Sequence, residues 1–173
     1  MRRLLILLCA LLCAAAPSWA QTEEDPWARV GEGDRAPDFE LTMTNGKRIS
    51  TADLEGKVVW VCLWASWCPS CRKEFGWLAK SEEFAALLQS EDFVFLPIAR
   101  EENIATIAVW LKQKGYDFPS AADPERVVYE LFAEQEIPRN ILVGRDGIIT
   151  HHSCAWSRKS LAGVVAKAEE MLN

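Results

Sequence analysis

Between Val58 and Phe75 the chain passes from a continuous apolar, β-branched and aromatic run to charged positions at helical spacing, and the break between them is Cys68-Pro69-Ser70-Cys71. An apolar run without alternation predicts a strand buried on both faces, and the spacing after it predicts a helix from Pro69 to about Lys80. Upstream, weak alternation around Phe39, Leu41 and Met43 turns at Asn45-Gly46 and resumes over Arg48 to Ser50, which predicts a hairpin within residues 36–50. A helical turn over Thr51 to Leu54 ends at Gly56. Downstream the pattern predicts a helix over 82–89, an apolar strand over Phe93 to Ala99, and an amphipathic helix from Asn103 to Lys114 stopped by Gly115. A Pro- and Asp-rich loop, Tyr116 to Pro124, leads to a helix over Glu125 to Ala133. Strands over Asn140 to Gly144 and Ile148 to His152 flank the tight turn Arg145-Asp146-Gly147, and Arg158 to Leu172 closes the chain as an amphipathic helix. Strands alternating with helices and ending in a hairpin predict an α/β sandwich with a mixed central sheet.

The N-terminus has a different pattern. Arg2 and Arg3 precede an apolar run from Leu4 to Ala16, followed by Pro17 and Ser18-Trp19-Ala20. That order predicts a secretory signal over residues 1–20, too short to span a membrane comfortably, with a polar, flexible lead-in over 21–33 and one domain over 34–173. A lipid-modified cysteine is disfavoured because Leu12 precedes Cys13 where a small residue is wanted. Export places the mature protein outside the cytoplasm, secreted or periplasmic, where disulfides persist, and leaves Cys62, Cys68, Cys71 and Cys154. The whole chain carries a net charge of −6, and loss of Arg2 and Arg3 makes it more acidic. Such a balance has no footprint for nucleic acid.

The chemistry sits at the break in the pattern. Pro69 suits the first turn of a helix, so Cys68 falls at the helix N-terminus, where unpaired N–H groups and the helix dipole favour the thiolate. Cys71, one turn on, can attack a mixed disulfide formed at Cys68 and release its partner. This makes Cys68 the nucleophile and Cys71 the resolving thiol of a redox-active pair.

Trp64-Ala65-Ser66-Trp67-Cys68-Pro69-Ser70-Cys71, taken with Ile137-Pro138, resembles a thioredoxin-fold protein. Ala36-Pro37-Asp38-Phe39, the hairpin, the Leu54-Glu55-Gly56-Lys57 approach and the helical insertion before Pro138 resemble the exported TlpA/ResA-like branch. The resemblance covers Gly33 to the C-terminus. It implies a thiol–disulfide oxidoreductase with no cofactor, acting on protein thiol or disulfide clients and kept reduced by a membrane electron donor. It implies a cis Ile137–Pro138 bond beside the redox pair, Trp67, Pro69, Ile137 and Arg139 facing the client, and Glu74 tuning the thiols. The chain departs from the family in three places. Cys62 stands where thioredoxin has a buried aspartate, Arg139 and Asn140 follow the proline, and Glu134-Gln135-Glu136 replaces a Gly-rich approach.

Other readings remain. Cys68 and Cys71 could be a structural disulfide or half of a zinc site, whose other ligands would have to be His151, His152 or Cys154. A non-enzymatic module could use them to hold Cu(I) or a client thiol, though no Met- or Cys-rich run accompanies them. A peroxiredoxin motif wants Pro seven and Thr three residues before its cysteine, places held by Val61 and Ala65. Cys62 reads as core packing, Cys154 as a free thiol, and Arg139 as either a neighbour of the thiols or a partner of Glu136. Glu74 reads equally as a solvated helix residue.

Overall fold

The computed structural model describes residues 25–173; the expected signal segment lies outside them. A small hairpin of β1 (Glu40–Thr42) and β2 (Arg48–Ser50) leads through a 3-10 turn, Thr51–Leu54, to β3 (Val58–Trp64). Then follow α1 (Pro69–Leu78), α2 (Glu82–Leu87), β4 (Phe93–Arg100), α3 (Ile104–Lys114) and β5 (Ala121–Asp123). The chain ends with α4 (Tyr129–Phe132), β6 (Arg139–Val143), β7 (Ile149–Cys154) and α5 (Arg158–Leu172). The main sheet has the order β5-β4-β3-β6-β7, parallel across β5, β4 and β3 and antiparallel across β3, β6 and β7. This is the expected mixed sheet, with hairpin and helical insertion in place.

All seven residues of β3 are buried because the strand is central and covered on both faces. Trp60, Cys62 and Trp64 pack with Phe75, Phe84, Phe95 and Leu161 on the face covered by α1 and α5. Val59, Val61 and Leu63 pack with Leu41, Leu54, Ile98 and Phe132 on the other. The same alternation sorts β6, since Asn140 pairs with Cys62 and Arg139 with Leu63.

Three expectations differ from what is observed. The helix over Glu125 to Ala133 is only Tyr129–Phe132, because Arg126 has φ 61° and the chain must turn there before Asp123 Oδ2 accepts the Tyr129 N–H at 2.7 Å. The loop before it holds the edge strand β5, paired with Ile98 to Arg100. The lead-in is bonded to the domain from Asp25 onward: Ala28 bridges Ala133, the Glu134 N–H reaches Trp27 O at 2.8 Å, and the Gly33 N–H reaches Ile149 O at 2.9 Å. Among the described residues no helix is long and apolar enough to cross a membrane.

Candidate active site

The strand β3 ends at Trp64, and the chain turns through Ala65 to Trp67 before α1 begins. Cys68 is the N-cap of α1, in an extended conformation, with Pro69 in the first turn. Its Sγ accepts the Cys71 N–H at 3.2 Å, so a backbone donor at a helix N-terminus already points at the sulfur. The two sulfurs are bonded to each other across a Cα separation of 5.3 Å, so the oxidised form is described. Cys71 is fully buried and Cys68 retains 5% of its exposure, so Cys68 is the more accessible residue of the pair.

The Ile137–Pro138 peptide is cis, and the Ile137 carbonyl oxygen lies 3.8 Å from Cys68 Sγ. Trp67, half exposed, flanks the pair, with the Arg100 guanidinium 5.6 Å from its ring centroid. Pro69 is exposed on the same rim. The fold thus brings together Cys68, Cys71, Trp67, Pro69, Ile137 and Pro138, residues expected from separate parts of the chain.

Glu74 is not solvated. It is 1% exposed, one turn beyond Cys71 on the buried face of α1. The Cys62 thiol donates to its Oε1 at 3.3 Å and the Asn140 amide donates to its Oε2 at 3.1 Å, while Asn140 Oδ1 accepts the Trp60 indole N–H at 2.7 Å. Burial pushes the Glu74 carboxyl up to about 7, against the opposing pull of those two donors. Burial, with the Glu74 charge beside it, holds the Cys62 thiol well above its ordinary range, so it stays protonated and acts as a donor.

Arg139 lies elsewhere. Its side chain is wholly buried on the face of the sheet opposite Cys62, paired with Asp25 and donating to Gln135 O at 2.7 Å and Glu136 O at 3.2 Å. It neither faces the thiols nor is open to a client, and its carboxylate partner is Asp25 rather than Glu136. One residue of register explains this: the position after Pro138 points away from α1, and the next one, Asn140, points toward Glu74. Arg139 Nη1 is also 3.2 Å from His152 Nε2, whose ring Nδ1 donates to Val30 O at 3.0 Å. His151 is half-buried beside Glu32. Cys154 is a free thiol 3.5 Å from Glu136 Oε2, and burial pushes it up to about 11. Among the described residues no group of three or more His, Cys, Asp or Glu side chains is arranged to hold a metal ion.

The contacts that Asn140 makes with Glu74 and that Ser66 makes with Glu102 are not legible in the local sequence pattern. Asn140 could have been found from strand alternation once Cys62 was placed. Glu102 and Ser66 carried no signal, because they meet across 36 residues of chain.

The model of the AhpC/TSA family matches residues 32–152. The thiol-disulfide oxidoreductase ResA of Bacillus subtilis is 31% identical over 83% of this chain and 76% of its own length. The thiol:disulfide interchange protein DsbE of Pseudomonas aeruginosa is 28% identical over 77% of this chain and 71% of its own. Among solved structures, a candidate protein disulfide isomerase from Bacteroides thetaiotaomicron superposes with a TM-score of 0.79 at 32% identity, covering 84% of this chain and 92% of that one.

Proposed function

This chain belongs to the AhpC/TSA family and is a thioredoxin-fold thiol-disulfide oxidoreductase; on that premise we propose that Cys68 and Cys71 cycle between dithiol and disulfide to reduce client proteins outside the cytoplasm. The single observation that carries this reading is Cys68 Sγ at the start of α1, accepting the Cys71 N–H on one side and facing the Ile137 carbonyl on the other.

The cycle runs as two exchanges. The Cys68 thiolate attacks one sulfur of a client disulfide, forming a Cys68–client bond and expelling the other client sulfur as a thiolate, which takes up a proton. Cys71 then loses its proton and attacks Cys68 Sγ; the Cys68–Cys71 bond forms, the mixed disulfide breaks, and the second client thiol leaves. Two electrons pass to the client. Glu74, held near 7 by burial and one turn from Cys71, is the group we assign to accept the Cys71 proton. The peptide edge at Ile137 and the exposed faces of Trp67 and Pro69 receive the client segment. A reduced dithiol donor in the membrane restores the cycle, and the Arg2-Arg3 and Leu4 to Ala20 pattern supports export. Peroxide reduction is disfavoured because buried Val61 and Ala65 stand where its activating groups would be needed.

The test is reduction of a protein disulfide such as insulin's, with dithiothreitol supplied in excess. Cys68→Ser should abolish turnover, and Cys71→Ser should accumulate a Cys68–client mixed disulfide. Turnover that survives Cys68→Ser would reject the assignment.

A further inference from the structure

The turn that presents Trp67 and Cys68 is held from the side by a buried acid on another element. Glu102, just beyond β4, is 9% exposed. Its Oε2 accepts the Ser66 N–H at 2.6 Å, and its Oε1 accepts the Ser66 hydroxyl. The Cys68 N–H bonds back to Ala65 O at 3.2 Å, so Ser66 and Trp67 are the inner residues of a turn closed onto Cys68. Glu102 is itself fixed from both sides. Glu101, at φ 62°, donates its N–H to Asp123 O at 2.9 Å, and Asn103 caps α3 through the Thr106 N–H at 3.0 Å.

No cation neutralises this carboxylate among the described residues. Arg100 lies over Trp67, but its Nε is 3.1 Å from Glu101 and its guanidinium is 4.7 Å from the Tyr129 ring centroid. Arg72 and Lys73 on α1 are exposed, and Glu74 lies on the buried face of that helix. Glu102 bonds to Ser66, two residues before the attacking sulfur, so a carboxylate with no cation beside it sits against that turn and opposes the helix N-terminus, which favours the thiolate.

We propose that Glu102 is a positioning and tuning residue for the redox pair: it fixes Ser66 and so the path into Cys68, and its charge holds back the Cys68 thiolate, keeping the couple toward the reducing side. This rests on the dithiol–disulfide reading above and adds to it a residue that touches neither sulfur.

The test is the pH profile of Cys68 alkylation by iodoacetamide in the reduced protein, followed on the Cys68 peptide by mass spectrometry. Glu102→Gln should move the midpoint down and raise the rate at pH 6.5 by about threefold or more, since reactivity below the midpoint tracks thiolate population. Glu102→Asp and Ser66→Ala both keep the charge and should hold the wild-type midpoint. An unchanged midpoint in Glu102→Gln would overturn the proposal. So would an Asp or Ala variant shifted as far as the Gln variant, because contact rather than charge would then be responsible. The profile is read without a client, so a wild-type protein that fails to reduce insulin would reject the reducing function while leaving this result to stand.

Discussion

The Cys62 thiol donates to the Glu74 carboxylate at 3.3 Å, on the helix turn after Cys71, with both side chains sealed from solvent. A thiol in that place cannot take up a proton from the redox pair, since burial keeps it protonated. In the cycle proposed above Glu74 is the group assigned to that acid–base work, and Cys62 and Asn140 hold its two oxygens.

Stability should carry the mark of this carboxyl. Its folded value of about 7 lies above the ordinary 4.5, so the folded protein keeps a proton that the unfolded chain releases. The contribution is fully present below pH 4.5 and is lost as pH rises through 7, a loss of about 3 kcal/mol. Urea unfolding between pH 5 and 8 should show stability falling with pH in the wild type and a flatter profile in Glu74→Gln. Parallel profiles would remove the buried titration from the account.

The resolving step should titrate with the same group. Stopped-flow measurement of mixed-disulfide resolution should show a rate rising through pH 7, and Glu74→Gln should be slowed by about a hundredfold, the lower end of the range for loss of a general base. A variant with wild-type rate and profile would place the proton acceptor in solvent.

Much of this arrangement was legible in the sequence where local rules act. The last helix, Arg158–Leu172, was bounded by its amphipathic spacing, and Asn103 and Gly115 end α3 by their own side-chain and backbone chemistry. Cys68 and Cys71 were placed by Pro69 and the run before it. What the sequence could not show depends on pairing across the chain. The strand β5 has three residues and exists because β4 offers it an edge. Arg139 reads as a neighbour of the thiols by its place after Pro138, yet the register with Leu63 turns it to the opposite face, where Asp25 from the lead-in meets it.

Asp25 should prove structural for that reason. Asp25→Asn leaves the fully buried Arg139 guanidinium without its counter-charge and should cost about 2–3 kcal/mol in urea unfolding, allowing for its remaining bonds to Gln135 and Glu136. The Cys68–Cys71 couple should be little changed. A stability change under about 0.5 kcal/mol would show that solvent replaces the pairing.

The free thiols should separate by burial. In the oxidised protein carrying residues 21–173, Cys154 should react with a thiol reagent under native conditions, slowly because its thiol is pushed up to about 11. Cys62 should react only on unfolding. Rapid native labelling of Cys62 would contradict the sealed Glu74 pocket.

The most direct test is the reduction potential of the Cys68–Cys71 couple, obtained by equilibrating the protein against dithiothreitol or glutathione and following tryptophan fluorescence. A reductant of client disulfides should come to equilibrium near thioredoxin's value of about −270 mV. A value near −120 mV, as in the oxidant DsbA, would contradict the reducing direction, and no two-thiol equilibrium would contradict the redox cycle itself.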